Sequence, residues 1–132
     1  MKYSLSFLQP EEYGELSKLA EEVKLDEKID FQCYFLSAKD DNKKLLGVAG
    51  VNLNKDIPRF EHIIISKPYQ KTRLAVILMK AIEKFLIDEG YKIYSAYINN
   101  SKWWMQRYAE KFGFIKWEDK ENAKVFYKKL AF

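Results

Sequence analysis

Glu61-His62-Ile63-Ile64-Ile65-Ser66-Lys67-Pro68-Tyr69-Gln70-Lys71-Thr72-Arg73-Leu74, continuing through Ile98, is the stretch that decides the fold. Glu61 to Ile65 is β-prone, and Tyr69 to Arg73 is a short polar turn. From Leu74 to about Glu89 the apolar residues Leu74, Ile77, Leu78, Ala81, Ile82, Phe85 and Leu86 recur at the spacing of one helix face. Gly90 supplies the stop, and Lys92 to Ile98 is β-prone again. Strand, helix and strand in this order predict two parallel strands joined by a right-handed crossover. A helix that begins where a strand ends turns its unbonded first N–H groups and its positive dipole end toward that point, which favours phosphate. A nucleotide or a coenzyme pyrophosphate is therefore the first ligand to consider.

Upstream, Tyr3 to Leu8 alternates loosely and is predicted as a strand. Pro10-Glu11-Glu12 suits a helix first turn, and Tyr13, Leu16, Leu19, Ala20 and Val23 continue it at helical spacing. Lys24 to Asp30 is a polar loop. Phe31 to Ala38 and Lys44 to Leu53 are predicted strands of a hairpin around Lys39-Asp40-Asp41-Asn42-Lys43. Gly47 and Gly50 point to a bulge or to a closely approaching backbone. Downstream, Asn99-Asn100-Ser101 caps a helix with apolar positions at Trp104, Met105, Tyr108, Ala109 and Phe112. Phe114 to Trp117 and Val125 to Leu130 are the last strands, around a charged turn at Asp119 to Asn122. This order predicts an α+β fold, an α/β sandwich: a mixed, mostly antiparallel sheet of about seven strands with a central parallel β-α-β unit and helices on both faces. No repeat or Gly/Pro/Ser-rich linker interrupts residues 1–132, so a single domain is expected.

Of the 132 residues, 48% are hydrophobic and 32% charged with mixed sign, which suits a packed core under a solvated surface. No apolar run approaches the roughly 20 residues of a membrane span, and no signal-peptide core precedes Glu11, so a cytoplasmic location is expected. Cys33 is the sole cysteine and His62 the sole histidine, so no intrachain disulfide can form and no metal site is expected. The net charge of +4 suits an anionic cofactor or substrate.

The element order, together with ISKPYQKTRLAVILMKAIEKFLIDEGY (65–91) and NNSKWWMQRYAEKFGF (99–114), resembles the GNAT superfamily of acetyl-CoA-dependent N-acyltransferases. Gln70, Lys71, Thr72, Arg73, Leu74 and Ala75 overlay the family's coenzyme loop, Gln/Arg-x-x-Gly-x-Gly/Ala, with Arg73 in the place of a glycine. The resemblance implies that backbone N–H groups of this loop wrap the coenzyme A pyrophosphate, with Arg73 and Lys71 as further phosphate contacts. It implies that the pantetheine arm inserts beside Ile63, Ile64 and Ile65, and that Asn100 lies near the coenzyme. Many members have a tyrosine four residues before the glycine of the Tyr-Glu-Lys-x-Gly-Phe ending, and it protonates the leaving thiolate. Here that position is Ala109, and Tyr108, one residue earlier, is the candidate acid.

By the same resemblance Glu61 is the candidate base for the acceptor amine. Strand alternation puts Glu61, Ile63 and Ile65 on one face and His62 and Ile64 on the other. Each candidate has a plainer alternative: Tyr108 a core tyrosine, Glu61 an exposed strand-end carboxylate, His62 a packed residue. The implied partners are acetyl-CoA and an amine-bearing acceptor, which the resemblance places against the loops Lys24 to Asp30 and Asp119 to Asn122. A noncatalytic protein of this fold that serves assembly is the alternative, and a homodimer would account for Trp103 and Trp104, only one of which can point fully inward. Lys102 to Tyr108 mixes bases and aromatics in a way that suits nucleic acid, but the helix spacing assigns several of those aromatics to the core, so nucleic acid is not the expected partner.

Overall fold

A computed structural model describes residues 2–130. Ten elements follow one another: β1 (Ser4–Phe7), α1 (Tyr13–Glu22), β2 (Tyr34–Lys39), β3 (Leu45–Asn52), β4 (Arg59–Ile65), α2 (Leu74–Asp88), β5 (Ile93–Asn99), α3 (Trp103–Lys111), β6 (Ile115–Asp119) and β7 (Ala123–Lys129). Short 3-10 turns precede α1, α2 and α3. The seven strands form one sheet in the order β1-β2-β3-β4-β5-β7-β6. β4 and β5 are its parallel pair, and the other neighbours are antiparallel.

Leu74, Leu78, Ile82 and Leu86 are the buried row of α2, spaced at four residues as the sequence requires. They pack on Leu36, Ala49, Phe60 and Ile65 of the sheet, and Ala109 of α3 joins the same core. On the opposite face Leu16 and Leu19 of α1 close a smaller core with Phe35, Val48 and Ile64. Helices thus cover both faces.

Three local expectations are corrected. β2 begins at Tyr34 instead of Phe31, because Asp30 turns the chain there: its side chain accepts from Gln32 N (2.9 Å) and its carbonyl from Cys33 N (3.1 Å). In α3 neither tryptophan points inward; Trp103 and Trp104 are 60% and 55% exposed, and Gln106 and Ala109 take the buried positions. A polar residue is drawn in there because its amide Nε2 donates to Ile98 O and Asn100 Oδ1, both at 3.0 Å, at the end of β5 where that strand has left β4.

The third correction concerns β4. Val51 of β3 pairs with Phe60 and Gly50 with His62, so Glu61 is the extra residue of a β-bulge. The bulge breaks alternation: Glu61 lies against Cys33 (3.3 Å) on the α1 side of the sheet, with His62, instead of sharing a face with Ile63. Gly50 sits beside the bulge, and a Cβ there would stand 2.8 Å from the Phe35 ring.

Candidate active site

β4 and β5 share only two register pairs, Arg59 with Ser95 and Phe60 with Ala96. Beyond them the strands diverge, and a cavity of about 470 Å³ opens in the gap. Phe60, Glu61 and Ile63 of β4, Ala96 to Asn99 of β5, Ala75, Val76 and Met79 of α2, and Met105, Tyr108 and Ala109 of α3 line it. Ser66 N gives its hydrogen to Leu46 O on β3, whereas Ile65 O accepts from Gln70 Nε2 at 3.0 Å. Backbone polarity alternates along a strand, so Ile65 and Ile63 turn their main-chain groups to the open side and Ile64 turns its own to β3.

The head of α2 sits at this opening. Thr72 Oγ1 accepts from Leu74 N at 3.2 Å, which occupies that amide. The amides of Lys71, Arg73, Ala75 and Val76 have no acceptor among the described residues. Arg73 stands where the resembling loops have glycine, yet its φ of −85° is ordinary for any L-residue, so the arginine costs no backbone strain. Four unbonded donors and a helix dipole meet two cations, Lys71 and Arg73, on exposed side chains.

Tyr108 reaches the same cavity from α3, and its hydroxyl is buried with no hydrogen-bond partner. Burial pushes its phenol above the usual tyrosine range, and the charge of Arg73 pulls against that shift. Ala109, which holds the family's tyrosine position, packs into the core and offers no polar group.

On the α1 side, Arg59 Nε and Nη2 donate to Glu61 Oε1 (2.8 and 2.5 Å), and the Cys33 thiol donates to Oε2. Burial, then Glu61, pushes the Cys33 thiol far up, so it stays protonated. His62, 4% exposed, stacks on Phe35. Its Nε2 accepts from Asp30 N at 3.1 Å, so Nδ1 carries the proton and faces Glu27 Oε2 at 3.5 Å. Cys33, Glu61 and His62 bring their donor atoms within 4.8 Å of one another. In this arrangement the thiol and the carboxylate hold each other, and Nε2 is taken by the Asp30 amide.

Among the residues expected at the site, Glu61, Ile63, Gln70, Thr72, Ala75 and Tyr108 line one cavity. Ile64 is buried in the α1 core, and Ile65 and Leu74 are buried in the α2 core. Asn100 does not line the cavity; its side chain accepts from Gln106. Asp26 and Glu27, in the 24–30 loop that the resemblance associates with the acceptor, line the cavity, and so does Lys102, which the sequence did not mark as a site residue. By pattern alone the sequence marked the first two only as part of a polar loop and Lys102 only as a base among aromatics, since nothing in a linear pattern brings residue 27 to residue 102.

The profile described as Acetyltransferase (GNAT) domain matches residues 6–132. A search of curated proteins finds no match. Among solved structures, the PaiA N-acetyltransferase from Thermoplasma acidophilum, in complex with coenzyme A, superposes with a TM-score of 0.82 at 14% identity over 98% of this chain and 99% of that one. Ard1 from Thermoplasma volcanium gives 0.81 at 11% identity over 99% of each chain. The ribosomal-protein-S18-alanine N-acetyltransferase from Escherichia coli gives 0.80 at 11% identity, covering 99% of this chain and 96% of that one. At these identities the structures testify to the shared fold, and the profile match carries the assignment: the chain belongs to the GNAT acetyltransferase family and is an acyltransferase.

Proposed function

We propose that this chain transfers the acetyl group of acetyl-CoA to a primary amine by direct attack. The observation that carries the reading is the set of unbonded amides at the head of α2, opening on the same cavity as the unpartnered Tyr108 hydroxyl. The residues present fit a diphosphate-bearing thioester: the amides of Lys71, Arg73, Ala75 and Val76 with the Arg73 guanidinium for the pyrophosphate, and the strand gap for a narrow arm. Acetyl-CoA supplies the activated acyl thioester. The open-side N–H of Ile63 is aimed where negative charge grows on a carbonyl oxygen in the gap. Tyr108, held protonated by burial, gives its proton to the leaving sulfur. Glu61, steadied by Arg59, is the carboxylate closest to the point where the strands part, and it draws the acceptor's proton through water. For assembly we propose a homodimer through the free edge of β6, where Ile115 and Trp117 are exposed.

The test is calorimetric titration with coenzyme A, followed by thiol release from acetyl-CoA with a panel of primary amines. Saturable coenzyme binding and amine-dependent release are expected. Absence of binding by the folded protein overturns the reading, and binding without release to any amine favours a noncatalytic role.

A further inference from the structure

We propose that Asp26 and Glu27 form an ammonium site at the acceptor end of the cavity, that Lys102 keeps its own ammonium there as a stand-in, and that an incoming primary amine on an apolar stem displaces it. This deepens the acetyltransferase reading and rests on it for its functional meaning. Lys102 Nζ lies 2.9 Å from Glu27 Oε1 and 3.6 Å from Asp26 Oδ1, and all three residues line the cavity. A primary ammonium therefore already sits between two carboxylates of the loop after α1, at the mouth of the gap. The exchange is like for like: one ammonium replaces another, the charge of the site is unchanged, and the flexible lysine stem carries its head out to water.

A second observation marks Glu27 as a ligand-holding carboxylate. His62 holds its loop at one point, accepting from Asp30 N at one ring nitrogen, and turns the other toward Glu27. That Nδ1 is buried and has no partner of good geometry, so an unspent donor is held against one carboxylate oxygen while the other oxygen takes the cation. Glu61 is unsuited to this exchange. Its side chain is 10% exposed against 34% for Glu27, and two hydrogen bonds from one guanidinium fill Oε1. Phe60, Tyr97 and Trp104 line the same cavity. Such apolar and aromatic lining suits the hydrocarbon stem of an amine whose charged head meets the carboxylates.

Hexylamine is the probe and 1-hexanol its uncharged control, each titrated calorimetrically into wild type, Lys102→Met and Glu27→Gln, with and without saturating coenzyme A. Displacement predicts opposite signs: Lys102→Met binds hexylamine about tenfold more tightly and Glu27→Gln about tenfold more weakly, the scale of one charge contact in a half-buried site. 1-Hexanol should respond to neither change. Weakening in both variants would mean that the pair is merely structural, and this or an unaltered affinity in both overturns the proposal, as does a lack of hexylamine binding to every form including Lys102→Met. Melting temperatures report whether the variants fold, and Asp26→Asn, on an exposed side chain, carries the test if Glu27→Gln does not. Coenzyme A binding is read separately, so its failure with the hexylamine pattern intact rejects the acetyltransferase reading and leaves the ammonium site standing.

Discussion

Arg73 and Ala109 are the two positions where the chain departs from the loop and helix patterns it resembles, and the structure gives Arg73 and the neighbouring Tyr108 a physical setting. Arg73 needs no left-handed backbone, and its charge acts on the Tyr108 phenol across the cavity. Arg73→Glu reverses that charge beside the unbonded amides, so coenzyme A affinity is expected to fall by about tenfold or more in a calorimetric titration. An unchanged affinity would place the pyrophosphate elsewhere. Tyr108→Phe removes a proton donor while keeping the ring, so turnover should drop by roughly 10²-fold with coenzyme affinity nearly intact. Because burial keeps the phenol protonated, wild-type turnover should show no loss attributable to this group across neutral and mildly alkaline pH. Glu27 adds an acid-side signature. Burial pushes its carboxyl up, but His62 and Lys102 together hold it below the ordinary range. A carboxyl depressed by folding adds stability above its unfolded value, near 4.3, and loses that contribution as pH falls through the lower folded value. Glu27→Gln should therefore flatten the decline of melting temperature in that acid window.

At the scale of elements, α2 and the β3–β4 pair do the positioning. α2 is held by its row of buried leucines and Ile82, and that anchorage sets where its first amides end. Leu78 is wholly buried between sheet and helix, so Leu78→Ala should cost about 2–5 kcal/mol in denaturant unfolding. Gly50 stands opposite the bulge at Glu61, where a Cβ would crowd the Phe35 ring and approach His62. Gly50→Val drives methyl groups into the Phe35 ring and should destabilise by about 1–3 kcal/mol. It should also misplace Glu61 and His62, and lose more activity than its stability change explains. The α1–β2 loop is tied to β4 through His62 and to the turn before α3 through Lys102, so this wall of the cavity is assembled from three separate parts of the chain.

For the whole molecule, the coenzyme and assembly readings have global readouts. Coenzyme A at a hundred times its dissociation constant should stabilise the native state by about 2.7 kcal/mol, seen as a raised melting temperature. If β6 pairs with a second copy, sedimentation should give twice the 15.7 kDa chain mass, and Trp117→Lys should return it to one. No helix among the described residues is long and apolar enough to cross a membrane. Element order, the parallel crossover and the α2 stripe were legible in the sequence, because they rest on local periodicity and on turn residues that act within a few positions. The same holds for the glycines, whose presence at 47 and 50 announced a bulge or a close backbone. What periodicity could not reveal was the effect of the bulge, which moves Glu61 to the other face of its strand, and the inward turn of Gln106 in place of a tryptophan. Both arise from needs created by distant strands: a carbonyl left without a partner where β5 leaves β4, and a strand with one residue too many against its neighbour. The meeting of Glu27, His62 and Lys102 is of the same kind. Residues this far apart in the chain are brought together only when the sheet closes, so their chemistry belongs to the tertiary structure, whereas the helix that opens at residue 74 was already written in the spacing of its side chains.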